Sequence, residues 1–500
     1  MKRLILLGTL LVGTLMLPAD ASAFDFSTIQ SRVHKFTLDN GLTVIVMEDK
    51  SAPVVTCVTY ANVGSVDDPK GQTGLAHIFE HMAFKGNKEV GGSDPKAEAK
   101  AMAKIDAAFE KLRAELLKDH LADSAKVALY RAELAAAQDE AGAFVVPNEF
   151  GRIVETEGGV GLNAGTGTDQ TVYFFSLPSN RLELWFALES GRFYDPVLRE
   201  FYKEKNVVME ERRMRVESSP FGKLFEEFLG TAYKAHPYGI RGIGHMSDLE
   251  MITRDEAIAF YRTYYVPSNL VISIAGDVDK AEVEKFARTY FGRLPKASRP
   301  ERIGTVEPPQ IGERRVAVED RAQPILLVGF HRPANTHPDD AALSALADYL
   351  GQGRTSVLYK KLVKEGKIAV QAFAAPAFVG GKYPDMFLVG AVPAKGVTAE
   401  ECEKLILEEI EKVRETPVTP EELSNIKARA KAQFTNQLSS RQGMAMQLAG
   451  YETLYGDWRA MFRELDKINA VSAEDIQRVA RAYLTRTNRT VAYIETVEES

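Results

Sequence analysis

The sequence predicts an α+β protein in which one unit of strands and helices occurs twice along the chain. Three observations carry this reading. Short β-rich runs bounded by turn residues alternate with helix-forming stretches over nearly the whole length. The segments Pro53–Gly86 and Pro324–Gly351 share one order: a strand, a loop with paired aspartates (Asp67-Asp68 and Asp339-Asp340), then a helix. Later, Met251–Ile274 and Ala470–Ile494 each read as a helix, a short Asn-containing turn and a β-rich run.

The first residues read as an address and not as part of that fold. Lys2 and Arg3 lead into an apolar run from Leu4 to Leu17, followed by Pro18 and Ala21-Ser22-Ala23. A charged n-region, an apolar h-region and an A-x-A site predict a signal peptide over residues 1–23, cut after Ala23, and so a periplasmic protein. The run is short for a bilayer and contains Gly8 and Gly13, so no membrane anchor is expected. No other stretch is long and apolar enough to span one.

Beyond it, His34–Leu38 and Leu42–Met47 flank Asp39-Asn40-Gly41, which predicts a hairpin with an Asn-Gly turn; Val54–Ala61 is a third strand. A Gly/Asp loop over Gly64–Gly74 precedes a helix starting near Leu75. From Asp94 to about Ala143 the chain is rich in Ala, Glu, Lys and Leu, which predicts one or two long amphipathic helices in an insertion over about 94–150. Strand-like segments return at Gly158–Leu162 and Gln170–Ser176, with helices to about Tyr264, a strand at Leu270–Ala275 and a helix over Lys280–Phe291. The stretch Pro295–Gly312 holds four prolines and several charges. It places a linker at 298–312 between a first domain, 24–297, and a second, 313–500, as a chain of 500 residues requires more than one core.

Net charge is −7, from 62 basic and 69 acidic residues, with no basic stripe. Nucleic acid is therefore not an expected partner, and peptides or small molecules are. Cys57 lies in a strand and Cys402 on a charged helix; both read as free thiols, and no cysteine metal cluster is present.

The chemistry is carried by His77-Ile-Phe-Glu80-His81 on the helix that begins near Leu75. Residues four apart stack on one helix face, so His77 and His81 can converge on one metal ion. Glu80 lies slightly off that axis, where a carboxylate can address a water at the ion's open position. This H-x-x-E-H order is the inverse of the thermolysin type. With only 8 histidines in 500 residues, and Ile78 and Phe79 apolar between them, a purposeful cluster is a better reading than a surface pair. Catalytic zinc takes three protein ligands, so a third is needed from another helix. The helical stretch Leu198–Ser218 offers Glu200, Glu204, Glu210, Glu211 and Glu217, and composition does not choose among them.

The chain resembles the insulinase/pitrilysin family of zinc metallopeptidases, which includes the mitochondrial processing peptidases. The resemblance rests on His77-x-x-Glu80-His81, Gly158-Gly159, Asn163-Ala164-Gly165-Thr166, Thr171-Val172-Tyr173 and Glu204-Lys-Asn-Val-Val-Met-Glu-Glu211. His236-Pro237-Tyr238-Gly239 and Tyr264-Tyr265-Val266-Pro267-Ser268-Asn269 match as well, so it spans nearly the whole chain after Ala23. The resemblance implies two homologous αβ-roll halves, each a mixed or antiparallel sheet with helices packed on it, facing each other as a clamshell around a chamber. It implies one Zn²⁺ per chain held by His77, His81 and Glu211, with Glu80 as general base and Glu204 orienting the site. It also implies that peptides or unfolded segments add as a β-strand beside Asn163 and Ala164.

Two departures qualify this. His81 and Glu211 are 130 residues apart, longer than the family habit, and the helical insertion accounts for the excess. The second half lacks the metal set: Ile426 and Gln433 stand where the repeat would place Glu204 and Glu211. Val363 and Val370 occupy the positions of an Arg and a Tyr with which this half of the family commonly contacts substrate. Valine donates no hydrogen bond to a developing oxyanion. A zinc-less homologous partner subunit supplying those donors is therefore expected, in a heterodimer, or else a homodimer. The competing reading is a non-catalytic structural or peptide-binding subunit of the same fold.

Overall fold

The computed structural model describes residues 26–497; the expected signal peptide and its cleavage point after Ala23 lie outside the described residues. The first sheet contains β1 (Val33–Thr37), β2 (Thr43–Glu48), β3 (Val54–Ala61), β4 (Val160–Thr166), β5 (Thr171–Pro178) and β6 (Leu270–Gly276), in the order β1-β2-β6-β3-β5-β4. The second contains β7 (Arg314–Asp320), β8 (Leu326–Arg332), β9 (Ala369–Ala375), β10 (Asp385–Pro393) and β11 (Arg489–Thr496), in the order β7-β11-β8-β10-β9. Both sheets are mixed. β2 and β6 run parallel, as do β7 and β11, and the remaining neighbours are antiparallel. With β1 set aside, the two orders superimpose strand for strand, so the duplication is present in the topology.

Residue chemistry explains the layering. β6 (Leu-Val-Ile-Ser-Ile-Ala-Gly) is buried along its whole length, as a central strand covered on both faces must be. On β5 the faces separate by alternation. Tyr173, Phe175 and Leu177 join the core beneath the helix Leu75–Met82, while Val172 and Phe174 face the opposite side.

That opposite side is covered by the other half. The helix Arg441–Tyr455 packs Met444, Ala445 and Leu448 onto Ile45, Val58 and Val271 of the first sheet. In exchange, the helix Pro220–Ala232 of the first half packs Leu224, Phe228 and Leu229 onto Leu327, Met386 and Ala492 of the second sheet. Gly329 makes room for this, since a Cβ there would collide with the Phe228 ring. The stretch between the sheets has no regular structure over 293–312, yet it is pinned: the Glu307 carboxylate accepts N–H groups of Lys234, Ala235 and His236 at 2.8, 2.9 and 3.0 Å.

The insertion is a pair of helices, Pro95–Leu116 and Ser124–Gly142. Each starts on an aspartate whose side chain accepts two backbone N–H groups, Asp94 from Lys96 and Ala97, Asp123 from Ala125 and Lys126. The first helix buries Ala101, Met102, Ile105, Phe109 and Leu112; the second buries little beyond Ala141. Cys57 and Cys402 are buried free thiols. Among the described residues no helix is long and apolar enough to cross a membrane.

The exchanged helices make a testable statement about stability. Phe228→Ala, in denaturant titrations of the full chain, is expected to cost about 3–5 kcal/mol. A loss below about 1 kcal/mol, the scale of a surface substitution, would show that this helix does not hold the second sheet.

Candidate metal centre

The helix Leu75–Met82 starts from Gly74, whose φ of 98° is natural only for glycine. Two N–H groups at its start are taken up by Asp68, whose carboxylate accepts from Gly74 at 2.7 Å and Ala76 at 2.9 Å. Leu75, Ala76, Ile78, Phe79 and Met82 turn into the core, and Phe79 stacks against Tyr261 and Tyr265 with ring centroids 5.3 and 4.2 Å away. His77, Glu80 and His81 are left half-buried on the other face.

The helix Phe201–Arg212 supplies the opposing wall. It buries Tyr202, Lys205, Val208, Met209 and Arg212, and presents Glu204 and Glu211, two turns apart, to the histidines. A Glu211 carboxylate oxygen stands 3.7 Å from His77 Nε2 and 3.8 Å from His81 Nε2, and ligand atoms of all three residues lie within 4.8 Å of one another. The imidazoles are mutually perpendicular, at 88°. A tetrahedral zinc with bonds of about 2.1 Å sets its ligand atoms about 3.4 Å apart. The three residues therefore fit such an ion with small closing movements. Of the five glutamates of this stretch, Glu211 is the one whose carboxylate lies within 4 Å of both His77 and His81.

Glu204 takes a different position. Its carboxylate is 3.5 Å from His81 Nδ1 and 2.6 Å from Lys85 Nζ. The His81 contact, with Lys85, holds the Glu204 carboxyl down to about 2 despite partial burial. Burial alone would depress His81, but Glu204, Glu80 and Glu211 hold it above the usual histidine value. Burial, with His81 beside it, holds His77 below that value. An Nδ1–H directed at Glu204 leaves the Nε2 lone pair of His81 for a metal, which is how an outer carboxylate fixes an imidazole ligand. The second oxygen of Glu211 pairs with Arg215 at 2.5 Å.

Sequence reasoning missed Lys85, Arg199 and Arg215. Arg215 stands four residues after Glu211, so helical spacing carried a usable signal for it, whereas Lys85 lies past the end of the helix Leu75–Met82, where that spacing no longer applies. Arg199 carried none. It is 2% exposed and spends its donors on Glu98 of the insertion (2.7 and 3.1 Å) and on the carbonyls of Asn87 (2.8 Å), Val90 (2.9 Å) and Lys85. This ties the loop after the first helix to the start of the second.

Asn163 and Ala164 lie inside β4, not at a strand end: the strand reaches Thr166, four residues past the predicted Leu162, and begins after Gly158, which has φ 79°. β4 is the edge of its sheet and lies against the helix Leu75–Met82. Asn163 is exposed, with its side-chain oxygen on the Ala164 N–H at 2.8 Å. In the second half, the helices Asp340–Gly351 and Pro420–Gln437 are joined by an ion pair, Asp348 with Arg429 Nε at 2.9 and 3.1 Å; Ile426 is buried in that core. Val363 packs at the core margin, and Val370 on β9 is 59% exposed.

Residues 43–122 match the family model described as Insulinase (Peptidase family M16), and residues 251–430 match the Peptidase M16 inactive domain. The chain belongs to the insulinase family, peptidase family M16. The zinc protease PqqE of Helicobacter pylori is 29% identical over 508 residues, covering 99% of this chain and 98% of that one. The crystal structure of a protease from Helicobacter pylori superimposes with a TM-score of 0.77 at 28% identity, covering 93% and 99% of the two chains. The periplasmic protease PqqL of Escherichia coli shares the fold at a TM-score of 0.68 and 15% identity, over 93% of this chain and 48% of that one. The match named insulinase covers the His77–His81 segment, and the one named inactive covers most of the half without the histidine pair.

If Lys85 holds Glu204 and through it His81, Lys85→Met should weaken zinc binding about 10-fold or more in chelator competition. An unchanged affinity would reduce the Lys85 contacts to a surface ion pair.

Proposed function

We propose that this chain is a periplasmic zinc endopeptidase, exported by a signal peptide cut after Ala23, that hydrolyses peptides or unfolded segments. The observation that carries the reading is the convergence of His77, His81 and Glu211, with Glu80 on the same helix face as the histidines. Residues 24–297 form the peptidase domain with its insertion at about 94–150, 298–312 the linker, and 313–500 the domain without the metal set.

Zinc, when bound, would act as a Lewis acid that polarises the scissile carbonyl and acidifies water. His77, His81 and Glu211 would hold it. Glu80 acts as general base: it takes the proton of the attacking water and delivers it to the departing amine. Its negative charge favours the protonated form of both histidines. Glu204 does not touch the reacting atoms; it orients His81 and is itself braced by Lys85. Substrate is recognised as an extended strand added to β4, with backbone groups near Asn163 and Ala164 as partners and side-chain selectivity left to the surrounding walls.

The second domain offers Val363 and Val370 where donors to the developing oxyanion are needed. The working unit is accordingly a heterodimer with a zinc-less homologous subunit that supplies an Arg and a Tyr, or else a homodimer. The match of residues 251–430 to an inactive domain keeps a second reading in play, a non-catalytic peptide-binding subunit, which an absence of stoichiometric zinc in the purified protein would favour.

Glu80→Gln should retain one zinc per chain and lose about 10²–10⁴-fold in peptide hydrolysis. Retained activity would remove Glu80 from its role. Full activity of the purified chain as a monomer or homodimer would sink the heterodimer.

A further inference from the structure

The motif His236-Pro237-Tyr238-Gly239 takes no part in the metal centre, yet Tyr238 is fully buried and its hydroxyl joins the two halves. It donates to the carboxylate of Asp169, whose oxygens are 2.7 and 2.8 Å away, and accepts N–H groups of Gly381 and Tyr383 at 3.2 Å each. Asp169 also accepts the N–H of Lys382 at 2.9 Å. Asp169 sits at the tip of the β4–β5 hairpin; residues 381–383 belong to the second half, just before β10.

The same tip is gripped from its other side. Ser65 N–H bonds to the Gly167 carbonyl at 3.2 Å and Val66 N–H to the Thr168 carbonyl at 2.9 Å. That turn runs straight into Asp68, the cap of the helix carrying His77 and His81. The edge strand, the metal helix and the second half are thus all referenced to one four-residue tip. There is no slack in it: a Cβ on Gly64 would collide with the Thr168 carbonyl, and one on Gly380 with both Asp169 and Tyr238.

A peptide added to β4 takes its register from β4. Successive residues of a strand advance about 3.3 Å, and a slip of two keeps the same side chains facing the same wall. Sheet addition alone therefore leaves several bonds able to lie over the metal, and the choice depends on how β4 is set against the metal helix. We infer that Tyr238, acting through Asp169, is a positioning residue that fixes this setting, and that the metal-free half contributes to cleavage by supplying the backbone donors that complete the junction. The inference rests on the peptidase reading above.

The test compares the zinc-loaded full chain, with its partner subunit if one is required, with Tyr238→Phe. Amide exchange is expected to quicken in residues 163–171 and 379–383 while β3 and β6 keep their protection. Mass spectrometry of a cleaved extended peptide should show one main cut spreading to bonds two residues away. Misplacement of this kind should lower kcat about 10- to 100-fold with KM little changed. Asp169→Asn, which keeps the hydroxyl and one acceptor, should show the same pattern more weakly, and it carries the test if Tyr238→Phe does not fold. Unchanged exchange and an unchanged cut in both variants overturn the inference, as does exchange that rises evenly over the whole first half. A wild-type chain that cleaves nothing removes the peptidase reading alone; the exchange pattern then decides whether the hydroxyl pins the hairpin.

Discussion

The site depends on a buried pair of opposite charges, Arg199 and Glu98. The histidines and Glu211 lie on helices separated by a long helical insertion, and something must bring those helices within ligand distance. Arg199 does so from the residue before Glu200, holding the loop that follows the metal helix by three carbonyls and the insertion by a carboxylate. A guanidinium is costly to bury unless its donors are used, and removing one partner of such a pair costs about 3–5 kcal/mol. Here the arrangement turns the insertion from an appendage into a buttress of the candidate metal centre.

The two halves solve the same packing problem with different chemistry. In the first, the helices corresponding to Leu75–Met82 and Phe201–Arg212 face each other across histidines and carboxylates. In the second, an Asp348–Arg429 pair and the buried Ile426 occupy the equivalent interface. An ion pair closes two helices without an exogenous ion, so the second half keeps its architecture without the histidine set. What it retains is a structural hold on the first half, through the exchanged helices and the junction at Tyr238.

Much of this was legible in the sequence because the signals are local. β3 falls on its predicted residues, and the helix start at Leu75 and the insertion helices follow periodicity and capping rules. Strand β4 was read two residues early at its start and four short at its end, since Gly161 and Gly165 interrupt the run of side chains that marks a strand. The five glutamates between Leu198 and Ser218 could not be ranked by composition, because the ranking depends on which helix face meets His77. Arg199 and Asp169 were invisible for the same reason: their partners lie about 100 and 70–210 residues away, and a single charged residue in a loop announces no long-range role.

The exchanged helices have a consequence for how such a chain comes into being. Until residues 441–455 have been made, one face of the first sheet is bare, with Ile45, Val58 and Val271 open to solvent. The helix Pro220–Ala232 meanwhile waits with Leu224 and Phe228 uncovered. Neither half is a finished body on its own, so completion comes in a single late event, when the last quarter of the chain arrives. Cutting the gene at the linker would yield two fragments, each displaying a greasy surface shaped for the other.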